Sequence, residues 1–85
     1  MATIFIAEDD ETCRTFIRQA LVRAGHTPIL CRDGAIAWTM LEDNPGVELL
    51  ITDVRMPKMD GEELASRVRA DRGLCDLPIL IISGF

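Results

Sequence analysis

The amino-acid sequence predicts an α/β fold, a doubly wound parallel sheet with helices on both faces. Two features predict it. Four short apolar runs, typical of buried strands, are separated by segments whose apolar residues recur at helical spacing. Strands that alternate with helices in this way form a parallel sheet. The chain has 85 residues and shows neither a linker nor a repeat, so residues 1–85 are expected to form one small domain.

The first strand is predicted at residues 4–7, where the apolar run Ile4-Phe5-Ile6-Ala7 is continuous. A helix follows, beginning at Glu11 or Thr12 and ending near Gly25, which suits a helix C-terminus. One stripe of this helix is expected to face the core. Its members are Cys13, Phe16, Ile17, Ala20, Leu21 and Ala24, and three arginines lie off it.

The second strand is predicted at residues 28–31, where Pro28 suits a strand start or a sheet edge. Asp33-Gly34 signals a turn, and Asp33 is a candidate N-cap for the second helix. This helix should direct Ala37, Trp38 and Leu41 inward. Ile36 and Met40 lie four residues apart on another face. They form either a small partner surface or, as we favour, ordinary scattered apolar residues.

The remaining elements are two strands and one helix. The third strand is predicted at residues 47–52, after the breaker Asn44-Pro45-Gly46. The third helix is predicted at residues 61–69, with Leu64 and Val68 inward. The fourth strand is predicted at residues 79–82, and Ser83-Gly84-Phe85 follow it.

Composition excludes several classes of function. A net charge of −5 argues against direct binding of nucleic acid, which requires basic surface. The three cysteines show no metal-ligand or disulfide spacing, which indicates reduced thiols. No apolar stretch reaches the roughly 20 residues that span a bilayer, and no basic segment precedes the first apolar run. We therefore expect a cytoplasmic protein without membrane contact.

Polar side chains follow three of the predicted strands. Glu8 and Asp9 follow the first strand, Asp53 the third and Ser83 the fourth. Ligand sites in open parallel sheets form at the carboxyl ends of the strands, so these side chains should meet there. Carboxylates suit Mg²⁺, and beside the metal Asp53 could attack a phosphoryl group while the Ser83 hydroxyl bonds one of its oxygens. Asp10 is more simply explained as an N-cap.

Four segments together resemble the receiver domain of bacterial two-component response regulators, and the resemblance covers the whole chain. The string after the third strand is highly specific, and Ser83 follows Asp53 by the expected interval. In chain order the segments are Ala7-Glu8-Asp9-Asp10, Asp33-Gly34, Thr52-Asp53-Val54-Arg55-Met56-Pro57-Lys58-Met59-Asp60-Gly61 and Pro78-Ile79-Leu80-Ile81-Ile82-Ser83-Gly84-Phe85.

The resemblance implies a role for each site residue. Asp53 would accept phosphate from a sensor histidine kinase or a phosphotransfer protein, with Mg²⁺ as cofactor. Asp9 and Asp53 would bind the metal directly, Glu8 mainly through water, and Arg55 through its backbone carbonyl. Ser83 would be the hydroxyl that responds to phosphorylation. Such a protein is a signalling phosphoacceptor and not an enzyme.

One departure from the family is large. The flavodoxin-like fold that the resemblance implies has a fifth strand, bearing an active-site lysine, and two further helices. The sequence stops after the fourth strand, and its one lysine, Lys58, does not match. We therefore expect a truncated receiver domain. A bare edge at residues 79–82 should then promote self-association, most simply as a symmetric dimer.

Two alternative functions follow from the same residues. The chain could be a phosphorylation-incompetent interaction module that keeps the receiver fold. It could also be an aspartyl-phosphate phosphohydrolase, which likewise places an aspartate after a strand. That chemistry usually needs a second acid two residues later, and Arg55 occupies this position, so we disfavour an enzyme.

Overall fold

The computed structural model describes residues 1–82. Its elements alternate as expected. In chain order they are β1 (Thr3–Ala7), α1 (Glu11–Arg23), β2 (Thr27–Cys31), α2 (Gly34–Glu42), β3 (Leu49–Asp53), α3 (Gly61–Ala70) and β4 (Ile79–Ile82). The four strands form one sheet in the order β2-β1-β3-β4, and every neighbouring pair is parallel. The predicted α/β fold is confirmed for the described residues.

The sheet buries side chains on both faces. On one face Phe5 and Ala7 of β1 join Leu50 of β3 in a cluster that α2 and α3 cover. On the other face Ile4 and Ile6 form a smaller cluster with residues of β3 and α1. Because both faces of β1 are covered, its sequence has no polar alternation, which is why a continuous apolar run identified it correctly.

Helix starts follow the capping residues that the sequence indicated. The Asp10 side chain accepts a hydrogen bond from the Thr12 amide at 3.1 Å and caps α1. The Asp33 carboxylate accepts from the Ile36 amide at 2.8 Å and caps α2. Gly25 follows α1 with φ +87°, a left-handed conformation that glycine adopts without strain.

The predicted inward stripe of α1 is wrong at Phe16, Ala20 and Ala24. The buried side of α1 is the i, i+4 row that begins with buried Cys13 and continues through Ile17 and Leu21, which pack on the smaller cluster. Phe16 is 70% exposed, and Ala20 and Ala24 are exposed as well. Periodicity placed all six residues on one broad face, but the sheet covers only one edge of it.

The structure also bears on the start of the third strand and on Ile36 and Met40. The third strand begins at Leu49 and not at Val47, because the Val47 amide donates to the Asn44 carbonyl in the turn that leaves α2. Ile36 and Met40 pack against the larger cluster, so the explanation without a partner surface is the better one.

Candidate functional site

The register of the sheet brings the acidic residues together. Ala7 pairs with Thr52 across the β1–β3 ladder, so the residues that follow each of them emerge side by side at the carboxyl edge. Carboxylate oxygens of Glu8, Asp9 and Asp53 all lie within 4.8 Å of one another. We call these three residues the acidic cluster. Their mutual distance suits one small cation shared between them.

Asp53 is the last residue of β3 and is half-buried. Its Oδ1 accepts a hydrogen bond from the Val54 amide at 2.8 Å. Among residues 1–82, no hydrogen bond reaches its other carboxylate oxygen. The backbone is anchored too, since the Thr52 hydroxyl donates to the Asp53 carbonyl at 3.0 Å. One carboxylate oxygen is therefore fixed, and the other is available to a ligand.

Glu8 is nearly inaccessible, with 1% of its surface exposed. Its Oε2 accepts from the Asp10 amide at 3.1 Å, but Oε1 has no hydrogen-bond partner within the described part of the chain. Burial raises the pKa of Glu8 above its usual value; the Asp10 amide opposes the rise, and the negative charge of Asp53 adds to it. A buried carboxylate oxygen without a donor is costly, and a bound cation would remove that cost.

The remaining predicted site residues differ in exposure and in what the structure describes. Asp9 is the exposed member of the acidic cluster. Arg55 is exposed in the loop between β3 and α3, and within residues 1–82 no hydrogen bond engages its carbonyl. Ser83 lies outside the described residues. The donor set of carboxylates and a free carbonyl consists entirely of oxygens, which fits Mg²⁺.

The loop that carries Arg55 is held by close backbone contacts. A Cβ on Gly61 would lie 2.0 Å from the Asp53 carbonyl oxygen, and the Gly61 amide donates to the Val54 carbonyl at 2.8 Å. On the other side, a Cβ on Gly34 would lie 2.1 Å from the Met59 carbonyl oxygen. Only glycine permits these approaches. They fix the path of the chain beside Asp53.

Arg14 is a site residue that the sequence did not reveal. Periodicity placed it only off the core stripe, yet its Nη1 donates to the Glu8 carbonyl at 2.8 Å and lies 3.4 Å from the Asp9 carbonyl oxygen. Both carbonyls belong to members of the acidic cluster. No sequence signal would have identified this contact, because the direction of a long side chain depends on the fold around it.

Residues 4–85 match the family model described as "Response regulator receiver domain". The chain belongs to the response regulator receiver family. This receiver domain has the parallel sheet and the clustered carboxylates that the sequence predicted.

Individual proteins similar to this chain support its membership of the receiver family. A chemotaxis protein CheY homolog of Campylobacter jejuni is 38% identical over 81 residues, covering 94% of this chain and 62% of that protein. The response regulator receiver protein CpdR of Brucella abortus is 44% identical over the full chain, which covers 68% of it. The signal receiver domain of a histidine kinase from Syntrophus aciditrophicus superposes with a TM-score of 0.94 at 27% identity, covering 100% of this chain and 64% of that one.

The receiver chain spans less than two thirds of the length of the CheY homolog that it matches. Within residues 1–82, no helix combines the length and the apolar character needed to cross a bilayer.

Proposed function

We propose that this receiver domain accepts a phosphoryl group on Asp53, in a Mg²⁺-dependent reaction, from a sensor histidine kinase or a phosphotransfer protein. The observation that carries the proposal is the acidic cluster: three carboxylates lie within 4.8 Å, and one buried Glu8 oxygen has no hydrogen-bond partner among residues 1–82. Three negative charges this close repel one another, so the cluster destabilises the fold unless something neutralises it. A bound cation would neutralise the charge and would leave Asp53 in place to react with a phosphoryl group.

Each residue of the site has a separate role in the proposed phosphoryl transfer. Val54 holds Oδ1 of Asp53, and the other carboxylate oxygen attacks phosphorus. A bond forms between that oxygen and phosphorus while the bond to the donor histidine nitrogen breaks, and the nitrogen keeps the electron pair. The acidic cluster and the Arg55 carbonyl would hold Mg²⁺, which would supply positive charge to the transferring oxygens. Ser83 would donate its hydroxyl to the phosphoryl group once it has arrived.

Phosphorylation of the isolated chain tests this proposal. Incubation with acetyl phosphate and Mg²⁺ should add the mass of one phosphoryl group, and beryllofluoride should give a bound fluorine NMR signal. Asp53→Asn should abolish both signals, whereas Asp43→Asn, an exposed acid at the end of α2, should retain them. Modification that persists in Asp53→Asn would show that another residue is the acceptor.

A second candidate function is a receiver-fold interaction module that does not accept phosphate. The observation that favours it concerns Lys58, which is exposed in the β3–α3 loop. Residues 1–82 place no other lysine near the acidic cluster, where it could meet a phosphoryl group. The same experiment separates the two functions, because a module of this kind binds Mg²⁺ at most and stays unmodified by acetyl phosphate.

We also propose that the chain self-associates through β4. Within residues 1–82 this strand is paired with β3 alone, so alternate residues direct their backbone groups away from β3. Leu80 and Ile81 are 51% and 45% exposed, although both are large and apolar. Antiparallel pairing of two β4 edges about a two-fold axis would satisfy the backbone groups and cover part of this surface.

Light scattering after size exclusion, at several concentrations, tests self-association. The wild type should exceed its monomer mass of 9.4 kDa as concentration rises. Ile81→Lys places a charge on the edge and should restore the monomer. A wild-type monomer that persists at high micromolar concentration would contradict the proposal.

A further inference from the structure

Arg14 occupies an unusual position for a cation. It is the fourth residue of α1, in the first turn, where the helix dipole favours acidic side chains and disfavours basic ones. Its backbone amide closes the first helical bond, to the Asp10 carbonyl at 2.9 Å. The side chain turns back toward the sheet and is half-buried, so it does not simply project into water. Contacts at the carboxyl end of β1 must offset this unfavourable position of a positive charge.

The compensation comes from backbone carbonyls. Arg14 Nη1 lies 2.8 Å from the Glu8 oxygen and 3.4 Å from the Asp9 oxygen. Within residues 1–82, the only ion pair joins Arg67 to Glu63, so the guanidinium makes no ion pair with the acidic cluster. This distinction matters, because an arginine paired with the carboxylates would compete with a cation, whereas one bonded to the carbonyls leaves the carboxylate oxygens free.

The segment that Arg14 contacts is short. Three residues, 8–10, join β1 to α1, and two of them carry carboxylates of the cluster. The directions of those side chains follow from the backbone of the turn. Like charges within 4.8 Å repel one another, so without a tether the turn would relax to separate them. A donor that holds both carbonyls resists this relaxation.

We propose that Arg14 is a positioning residue for the acidic cluster. It holds the β1–α1 turn so that Glu8 and Asp9 face Asp53 before a divalent cation arrives, which raises the affinity for that cation. The inference rests on the proposed metal site. It assigns Arg14 a contact with the backbone of the ligand-bearing residues and no contact with the metal or the phosphoryl group.

Mg²⁺ affinity, measured by isothermal titration calorimetry without any phosphodonor, tests this inference. Arg14→Gln should weaken binding about tenfold, the lower end of the loss seen when partners that orient metal ligands are removed. The matched control is Arg18→Gln. Arg18 lies one turn after Arg14 on α1 and is also half-buried, so this variant loses the same charge. This control should bind Mg²⁺ as the wild type does. Because the effect depends on a contact, the difference between the two variants should persist at 0.5 M salt, where the Debye length is only about 4–5 Å.

Arg14→Lys provides a second variant in case Arg14→Gln does not fold. A lysine ammonium on a shorter stem should keep the nearer carbonyl and lose the farther one, which should weaken binding by about threefold. Thermal melts of all variants in EDTA establish that each is folded before titration.

The outcomes are distinguishable. A wild type that binds Mg²⁺, together with an Arg14→Gln variant of equal affinity, overturns the positioning role and leaves the proposed function intact. Equal losses in Arg14→Gln and Arg18→Gln also overturn it, since charge alone would then account for the effect. A folded wild type that does not bind Mg²⁺ overturns the metal site itself, and with it this inference.

Discussion

Replacing Glu8 with glutamine should have opposite effects on the metal-free and the Mg²⁺-bound protein. Glu8 is 1% exposed, its Oε1 lacks a donor within residues 1–82, and Asp53 and Asp9 lie beside it. Glutamine keeps the shape, removes the charge and places an amide donor near those carboxylates. Relief of one unsatisfied buried polar atom is worth about 1–3 kcal/mol. In EDTA at pH 8, Glu8→Gln should therefore be more stable than the wild type.

The pH dependence has a definite sign. Burial raises the pKa of Glu8 above 4.5 in the folded state, so the folded state binds this proton more tightly than the unfolded state. The Glu8 contribution is therefore most favourable below pH 4.5, and it is lost as pH rises through the raised folded pKa. The advantage of Glu8→Gln should vanish at acid pH and grow toward neutral pH.

Thermal melts from pH 4 to pH 8 provide the assay. A gain of 1 kcal/mol corresponds to a rise in Tm of about 4–8 °C for a domain of this size. In millimolar Mg²⁺ the order should reverse, because the wild type gains binding energy that the variant lacks. Glu11→Gln, an exposed acid in the first turn of α1, is the control. A Glu8→Gln variant that is less stable than the wild type in EDTA at pH 8 would refute the reasoning.

Three further predictions concern the loop beside Asp53. Gly61→Ala should destabilise the fold by about 3 kcal/mol or more, the upper end of the range for overpacking, because the new Cβ would meet the Asp53 carbonyl oxygen. Gly46→Ala is the control and should change stability little, because the space around Gly46 is open. Equal urea midpoints for the two variants would contradict this prediction. Lys58 has φ +70°, so Lys58→Gly should raise the urea midpoint by relieving a left-handed conformation that costs other residues roughly 1–2 kcal/mol. Asp60→Ala should cost about 1 kcal/mol in the same assay, because the Asp60 carboxylate caps α3 through the Glu63 amide at 2.8 Å; an unchanged midpoint would count against the cap.

Much of this fold could be predicted from local sequence. β1 is covered on both faces, so its apolar run reads directly as a buried strand. Asp10 and Asp33 each lie at a helix start, where a short acidic side chain satisfies a free amide, and both were identified as caps. Strand ends that carry acids were enough to predict that the acids lie at one edge of the sheet, since parallel strands share their direction.

Features that depend on distant parts of the chain could not be predicted. Phe16 fits the helical period as well as Ile17 does, but the period cannot say which edge of a broad apolar face the sheet covers. Arg14 looked like an ordinary surface cation. Its contact with the Glu8 carbonyl exists only because a connection of three residues joins β1 to α1, which folds back over the strand.

The acidic cluster separates what the sequence determines from what the tertiary structure determines. The sequence by itself determined which residues are present, because carboxylates after apolar strands are visible in the printed chain. Only the tertiary structure decided that Glu8 is buried, with one oxygen that no donor of residues 1–82 reaches, while its neighbour Asp9 is exposed. The physical reason is that successive side chains leave the backbone in different directions. What each then meets is set by strands and helices that are distant in sequence.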